Sequence, residues 1–87
     1  MRIRESGMPE EAQWEGYFDV GLILDRMGID GSLGNVAELG CGYGTFTIPV
    51  AQRVSGGVIT YDMDESMLRR TRLRAVEAGL RNVACVR

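Results

Sequence analysis

Three glycines at alternate positions, Gly40, Gly42 and Gly44, stand between two carboxylates, Glu38 just before the first and Asp62 further along the chain. Glycine has no Cβ, so such a run lets backbone N–H groups approach a bound molecule closely. An ionised Asp62 can accept hydrogen bonds from a ribose diol, each charge-assisted bond contributing about 1.5–3 kcal/mol. Together they point to a nucleoside ligand. Glu38 narrows the choice. Two unit charges about 6 Å apart at an effective dielectric of about 20 interact by roughly 3 kcal/mol. That interaction opposes a pyrophosphate and favours a nucleoside carrying an ammonium and a sulfonium.

The glycine spacing agrees. A dinucleotide fingerprint requires G-x-G-x-x-G, whereas Gly40-Cys-Gly-Tyr-Gly-Thr45 sets its last glycine one residue early. The chain contains no His and no Lys. Imidazole as base or metal ligand, a lysine Schiff base and a Ser-His-Asp or Cys-His centre are therefore excluded within it, and no metal site is expected. Cys41 has no histidine to activate it and reads as a small turn residue, while Cys85 reads as core packing. Arg69, Arg70, Arg72 and Arg74 spread around a helix flanked by Glu65 and Glu77, a solvated surface rather than a nucleic-acid stripe. The net charge of −2 supplies no global basic field.

The 87 residues allow one domain, and 45% hydrophobic with 25% charged residues is an ordinary globular balance. No segment reaches the roughly 20 apolar residues of a membrane span. The start of the chain lacks the apolar stretch of a secretory signal. Two cysteines make no disulfide framework, so a reduced, cytoplasmic protein is expected.

Elements must now place the glycines and the acids. Residues 1–9 show no period and are expected to form a flexible arm. From Glu10 to Met27, Trp14, Tyr17, Phe18, Leu22, Leu24 and Met27 recur at helical spacing and predict one amphipathic helix, followed by a loop to residue 34. In that helix Trp14, Tyr17 and Phe18 are expected to pack in the core, the alternative being a cover over a ligand. Val36-Ala-Glu-Leu39 reads as a buried strand, Thr45 to Val54 as a helix with Pro49 in its first turn, and Val58-Ile-Thr-Tyr61 as a second strand. Asp64 is a candidate N-cap for a helix that buries Leu68, Thr71, Ala75 and Ala78, and Gly79 ends it. Asn82 to Val86 begins a third strand. The order is a βαβαβ unit over residues 35–87 with an N-terminal helix, which implies an α/β fold with a parallel sheet. In such sheets ligands bind beyond the carboxyl ends of the strands, where the glycines and Asp62 fall.

Three segments carry a resemblance. Val36-Ala-Glu-Leu-Gly-Cys-Gly-Tyr-Gly-Thr45 resembles the first motif of class I S-adenosylmethionine-dependent methyltransferases. Val58-Ile-Thr-Tyr-Asp-Met-Asp-Glu-Ser-Met-Leu68 resembles the second, and Ala78-Gly-Leu-Arg-Asn-Val83 the run into the third strand. The resemblance implies a partial Rossmann-like sheet with strands in order 3-2-1 and S-adenosyl-L-methionine as cofactor. Residue by residue, it implies that Glu38 faces the methionine amino end, directly or through water. Gly40, Cys41 and Gly42 would pass under the methionine and ribose, with Tyr43, Gly44 and Thr45 shaping the turn. Asp62 would hold the ribose hydroxyls and Met63 would pack on adenine. No catalytic residue is implied, because methyl transfer needs acceptor and methyl brought together more than it needs a base.

The family's sheet continues beyond a third strand, so the chain is expected to be the cofactor-binding half of a methyltransferase, with its acceptor unidentified. The first strand becomes an edge with unpaired backbone groups. Association is expected there, with a second copy or with the missing half. A non-catalytic S-adenosylmethionine-binding module and an NAD-binding domain are the alternatives.

Overall fold

The computed structural model describes residues 8–87. Its elements run α1 (Glu11–Glu15), α2 (Val20–Met27), β1 (Val36–Leu39), α3 (Thr47–Arg53), β2 (Val58–Tyr61), α4 (Glu65–Glu77) and β3 (Val83–Val86). The three strands are parallel in the order β1-β2-β3, with Glu38 opposite Thr60 and Leu39 opposite Tyr61. This is the expected βαβαβ unit.

Local chemistry explains the helix limits. The Asp64 carboxylate accepts from the N–H groups of Ser66 at 2.8 Å and Met67 at 3.2 Å, satisfying donors that α4 leaves free at its start. Gly79 follows in the left-handed conformation, φ 70°, where a Cβ would be strained. Pro49 lies in the first turn of α3, where a missing N–H costs nothing.

Both crossovers advance in the same direction across the sheet. Right-handed crossovers therefore set α3 and α4 side by side on one face. Val58 and Thr60 of β2 point into that layer and are buried. Leu24, Val50, Ala51, Val54 and Val58 form one apolar cluster there, and Cys41, Tyr43, Met67 and Leu68 a second beneath the glycine turn. Leu39, Ile59, Tyr61 and Val86 project from the other face and remain exposed.

The helix expected over 10–27 is two helices. Asp19 accepts from Leu22 N at 3.1 Å and so caps a new helix, while the chain between Gly16 and Phe18 makes single turns back to Trp14 and Glu15. The break resets which residues face inward. Val20 and Leu24, four apart, meet the core, whereas Leu22 and Met27 are exposed. Tyr17, expected in the core, is also exposed. Ala78 lies past the end of α4 and is exposed rather than on its buried face. Of the arm expected at 1–9, residues 1–7 lie outside the described residues. Met8 and Pro9 pack against the glycine turn.

Candidate functional site

The ends of β1 and β2 open onto one cavity of about 450 Å³, within the usual range for small-ligand sites, roughly 300–1,000 Å³. Its floor is the glycine turn. Gly40, Gly42 and Gly44 all take left-handed φ values, 80°, 54° and 82°. At Gly44 a Cβ would meet Thr71 Cγ2 and Oγ1 at 3.2 Å, so the turn packs on α4 without room for a side chain. Thr71, itself buried, donates its hydroxyl to the Gly42 carbonyl at 3.1 Å.

Asp62 fastens this turn to the end of β2. Its Oδ2 accepts from Gly42 N at 3.1 Å and from the Cys41 thiol at 3.7 Å, and its Oδ1 accepts from Asp64 N at 2.8 Å. A carboxylate offers about four lone-pair sites, so Oδ1, with a single donor, keeps acceptor capacity. Burial pushes the Cys41 thiol up to about 11. Cys41 is therefore a neutral thiol at neutral pH, not a nucleophile. Burial also raises the Cys85 thiol, and both cysteines are free. Asp64 is held below the ordinary carboxylate range by its hydrogen bond with Ser66, so it stays ionised.

Of the residues singled out from sequence, Gly40, Cys41, Gly42, Thr45, Asp62 and Met63 line the cavity. Met63 is 90% exposed, free to be covered by a ligand. Gly44 shapes the turn from behind. Tyr43 is buried at 2%, its hydroxyl donating to the Pro9 carbonyl at 2.5 Å. Glu38 is half-buried beside the cavity rather than on its wall. Its Oε1 accepts from the hydroxyls of Thr47 at 2.5 Å and Thr60 at 2.7 Å.

The remaining wall comes from Met8, Trp14, Phe46, Asp64 and Met67. Asp64 and Met67 have a sequence signal, since both stand in the second motif beside Asp62. Phe46 directly follows the turn. Met8 and Trp14 are brought by the N-terminal segment, and no local pattern announces that. Trp14 both lines the cavity and packs on the cluster beneath the turn, edge to face with Phe18 at 4.9 Å. The segment is held by side-chain contacts. Glu11 accepts from Arg70 Nε and Nη2 at 2.7 and 3.0 Å, and Glu15 Oε2 accepts from Arg74 Nη1 at 2.5 Å and Thr45 Oγ1 at 2.9 Å.

The cavity is thus acidic and aromatic. Two aspartates, Asp62 and Asp64, line it with Trp14 and Phe46, and none of its described lining residues is basic. Such a lining suits a cation, through charge and through the aromatic faces.

The methyltransferase-domain family matches residues 36–87, the span of the three strands and the two helices between them. The chain belongs to that family. Among solved structures, it is similar to a dimethyladenosine transferase from Plasmodium falciparum, at 29% identity and TM-score 0.61 over 72% of this chain and 24% of that one. A SAM-dependent methyltransferase from Aquifex aeolicus is similar at 25% identity and TM-score 0.68, over 85% of this chain and 39% of that one. An RNA methyltransferase from Salinibacter ruber, in complex with S-adenosyl-L-homocysteine, shares the fold at 21% identity and TM-score 0.66, over 92% and 48%. The chain therefore spans about a quarter to a half of these structures. No curated protein sequence matches it. Among the described residues no helix is long and apolar enough to cross a membrane.

Proposed function

We propose that the chain binds S-adenosyl-L-methionine as the cofactor half of a methyltransferase whose acceptor is unidentified. The observation that carries this reading is the cavity at the strand ends. Its floor is bare backbone, its carboxylate Asp62 is fixed at the end of β2, and none of its described lining residues is basic. Asp62 takes the ribose hydroxyls on its remaining lone pairs. Gly40 and Gly42 admit the ribose and methionine close to the main chain, with Cys41 between them as a neutral spacer. Met63 packs on adenine, and Trp14 and Phe46 face the cationic end. Tyr43, Gly44 and Thr45 keep the turn in shape, Thr45 through Glu15. Glu38 acts on the ligand ammonium from behind the wall, directly or through water. The bound cofactor supplies an activated methyl on its sulfonium. The chain's own task is to hold that group and exclude water.

An NAD-binding domain is disfavoured because a diphosphate would meet Asp62 and Asp64 with no compensating cation among the described lining residues. Titration calorimetry with S-adenosylmethionine, S-adenosylhomocysteine and NAD tests the assignment. Binding of the first two and not of NAD is expected, and NAD bound more tightly than either would overturn it. A non-catalytic module binding the same nucleosides is the second reading. Methyl transfer with and without further polypeptide separates it from the first. The exposed edge of β1 also supports association with another strand, from a second copy or a complementing chain. A light-scattering mass of one chain at micromolar concentration would count against self-association. The free thiols of Cys41 and Cys85 suit a reducing, cytoplasmic setting.

A further inference from the structure

Glu38 differs from the other glutamates whose side-chain contacts have been described. Glu11, Glu15, Glu65 and Glu77 each lie within ion-pair distance of an arginine. Glu38, half-buried, has no such partner among the described residues. Both hydroxyls it receives, from Thr47 and Thr60, go to the same oxygen, Oε1. Oε2 takes no hydrogen bond among the described residues. Both threonines are completely buried, at 0% exposure. Thr60 sits opposite Glu38 in the register of β1 and β2, so their side chains share a face. Thr47 opens α3, one residue beyond Phe46.

We infer that Thr47 and Thr60 are positioning residues that aim the Glu38 carboxylate at the ammonium of the bound nucleoside. This rests on the S-adenosylmethionine reading above. Hydroxyl donors fix a carboxylate while leaving its full negative charge in place. An arginine in their position would fix it equally well and cancel the field. β-Branched side chains are stiff at χ1, and burial removes their remaining freedom, so the two donors form a rigid mount. The carboxylate is thereby held from one side only, with Oε2 left for a cation or a bridging water. Two residues with no ligand contact would then determine discrimination between nucleosides with and without an ammonium.

The test uses the whole chain and two thioether nucleosides that differ only in the amino-acid moiety, S-adenosylhomocysteine and 5′-methylthioadenosine. Calorimetric affinities are compared for wild type, Thr60→Val, Thr47→Val and the serine variants Thr60→Ser and Thr47→Ser. Each valine variant should weaken S-adenosylhomocysteine five- to tenfold and leave 5′-methylthioadenosine within twofold, and each serine variant should restore the difference. In a Glu38→Gln background, Thr60→Val should add nothing. Equal weakening of both nucleosides, or no weakening of either, overturns the inference while leaving the cofactor reading intact. A wild-type chain that binds neither nucleoside overturns both. Thr47 and Thr60 lie on different elements, so either valine variant that retains the wild-type circular dichroism decides the matter.

Discussion

The cavity is built from two regions held together in different ways. The cradle, residues 36–64, is fixed by a parallel strand ladder, by three left-handed glycines and by the Asp62 carboxylate across the turn. The strap, residues 8–15, contributes Met8 and Trp14 to the same wall, yet α1 buries no residue of its own. Besides the packing of Met8 and Trp14 beneath the turn, its ties include the Tyr43–Pro9 hydrogen bond, the Glu15–Thr45 bond and two arginine–glutamate pairs to α4. Backbone ladders and buried packing resist local opening, whereas partly exposed ion pairs contribute little, about 0–1 kcal/mol each. The cradle is therefore expected to open less readily than the strap.

That contrast can be broken most sharply at Gly44. Gly44→Val sets a β-branched residue at φ 82°, with its Cβ against buried Thr71. Left-handed strain of about 1–2 kcal/mol and overpacking of about 1–3 kcal/mol should together lower stability by about 3 kcal/mol in urea denaturation. A loss below about 1 kcal/mol would mean that the turn yields.

Asp62→Ala tests the ligand side of the cradle. Cofactor affinity should fall by about 1–2 kcal/mol, roughly tenfold, read by calorimetry. An unchanged dissociation constant would refute the ribose assignment.

Cys41 supplies a pH test. Its thiol rises from 9.0 to about 11 in the folded chain. Folded protein therefore keeps a proton that unfolded chain loses first. The stabilising contribution is complete below pH 9 and declines as pH climbs towards 11, by an amount on the order of 1 kcal/mol. Cys41→Ala should flatten that decline in denaturation curves measured from pH 8 to 11.

The smallest effect belongs to the strap. Arg70→Gln with Arg74→Gln should remove about 0.5–1 kcal/mol of local stability. Amide exchange should accelerate at residues 11–15 and not in β1 or β2, and 1 M salt should mimic it, since screening shortens to about 3 Å. Equal acceleration in β1 would show the two regions to be one cooperative unit.

The cradle was legible because its signals are local. A short apolar run ending at Gly40 gives β1, a β-branched run between Gly57 and Asp62 gives β2, an aspartate before a first turn gives the start of α4, and a glycine gives its end. The strap was not legible for the opposite reason. The apolar spacing of Trp14, Phe18, Leu22 and Met27 fits one continuous helix, and the turns between Gly16 and Phe18 with the cap bond from Leu22 N to Asp19 break it. The salt bridges of Arg70 and Arg74 join residues nearly sixty positions apart, and nothing local in either segment marks its partner. Glu38 lies between these cases. Its position before the glycines is plain in the chain, but the inward turn of Oε1 depends on two threonines from other elements.

Residue order alone determined the βαβαβ unit, its glycine turn and the acid after the second strand, because backbone conformation and hydrophobic periodicity are decided by near neighbours. Tertiary structure decided which side chains complete the wall, which oxygen of Glu38 stays open and what fastens the N-terminal segment. Those contacts exist only once distant segments have been brought together, and their energies come from burial and charge pairing that no single stretch of the chain contains.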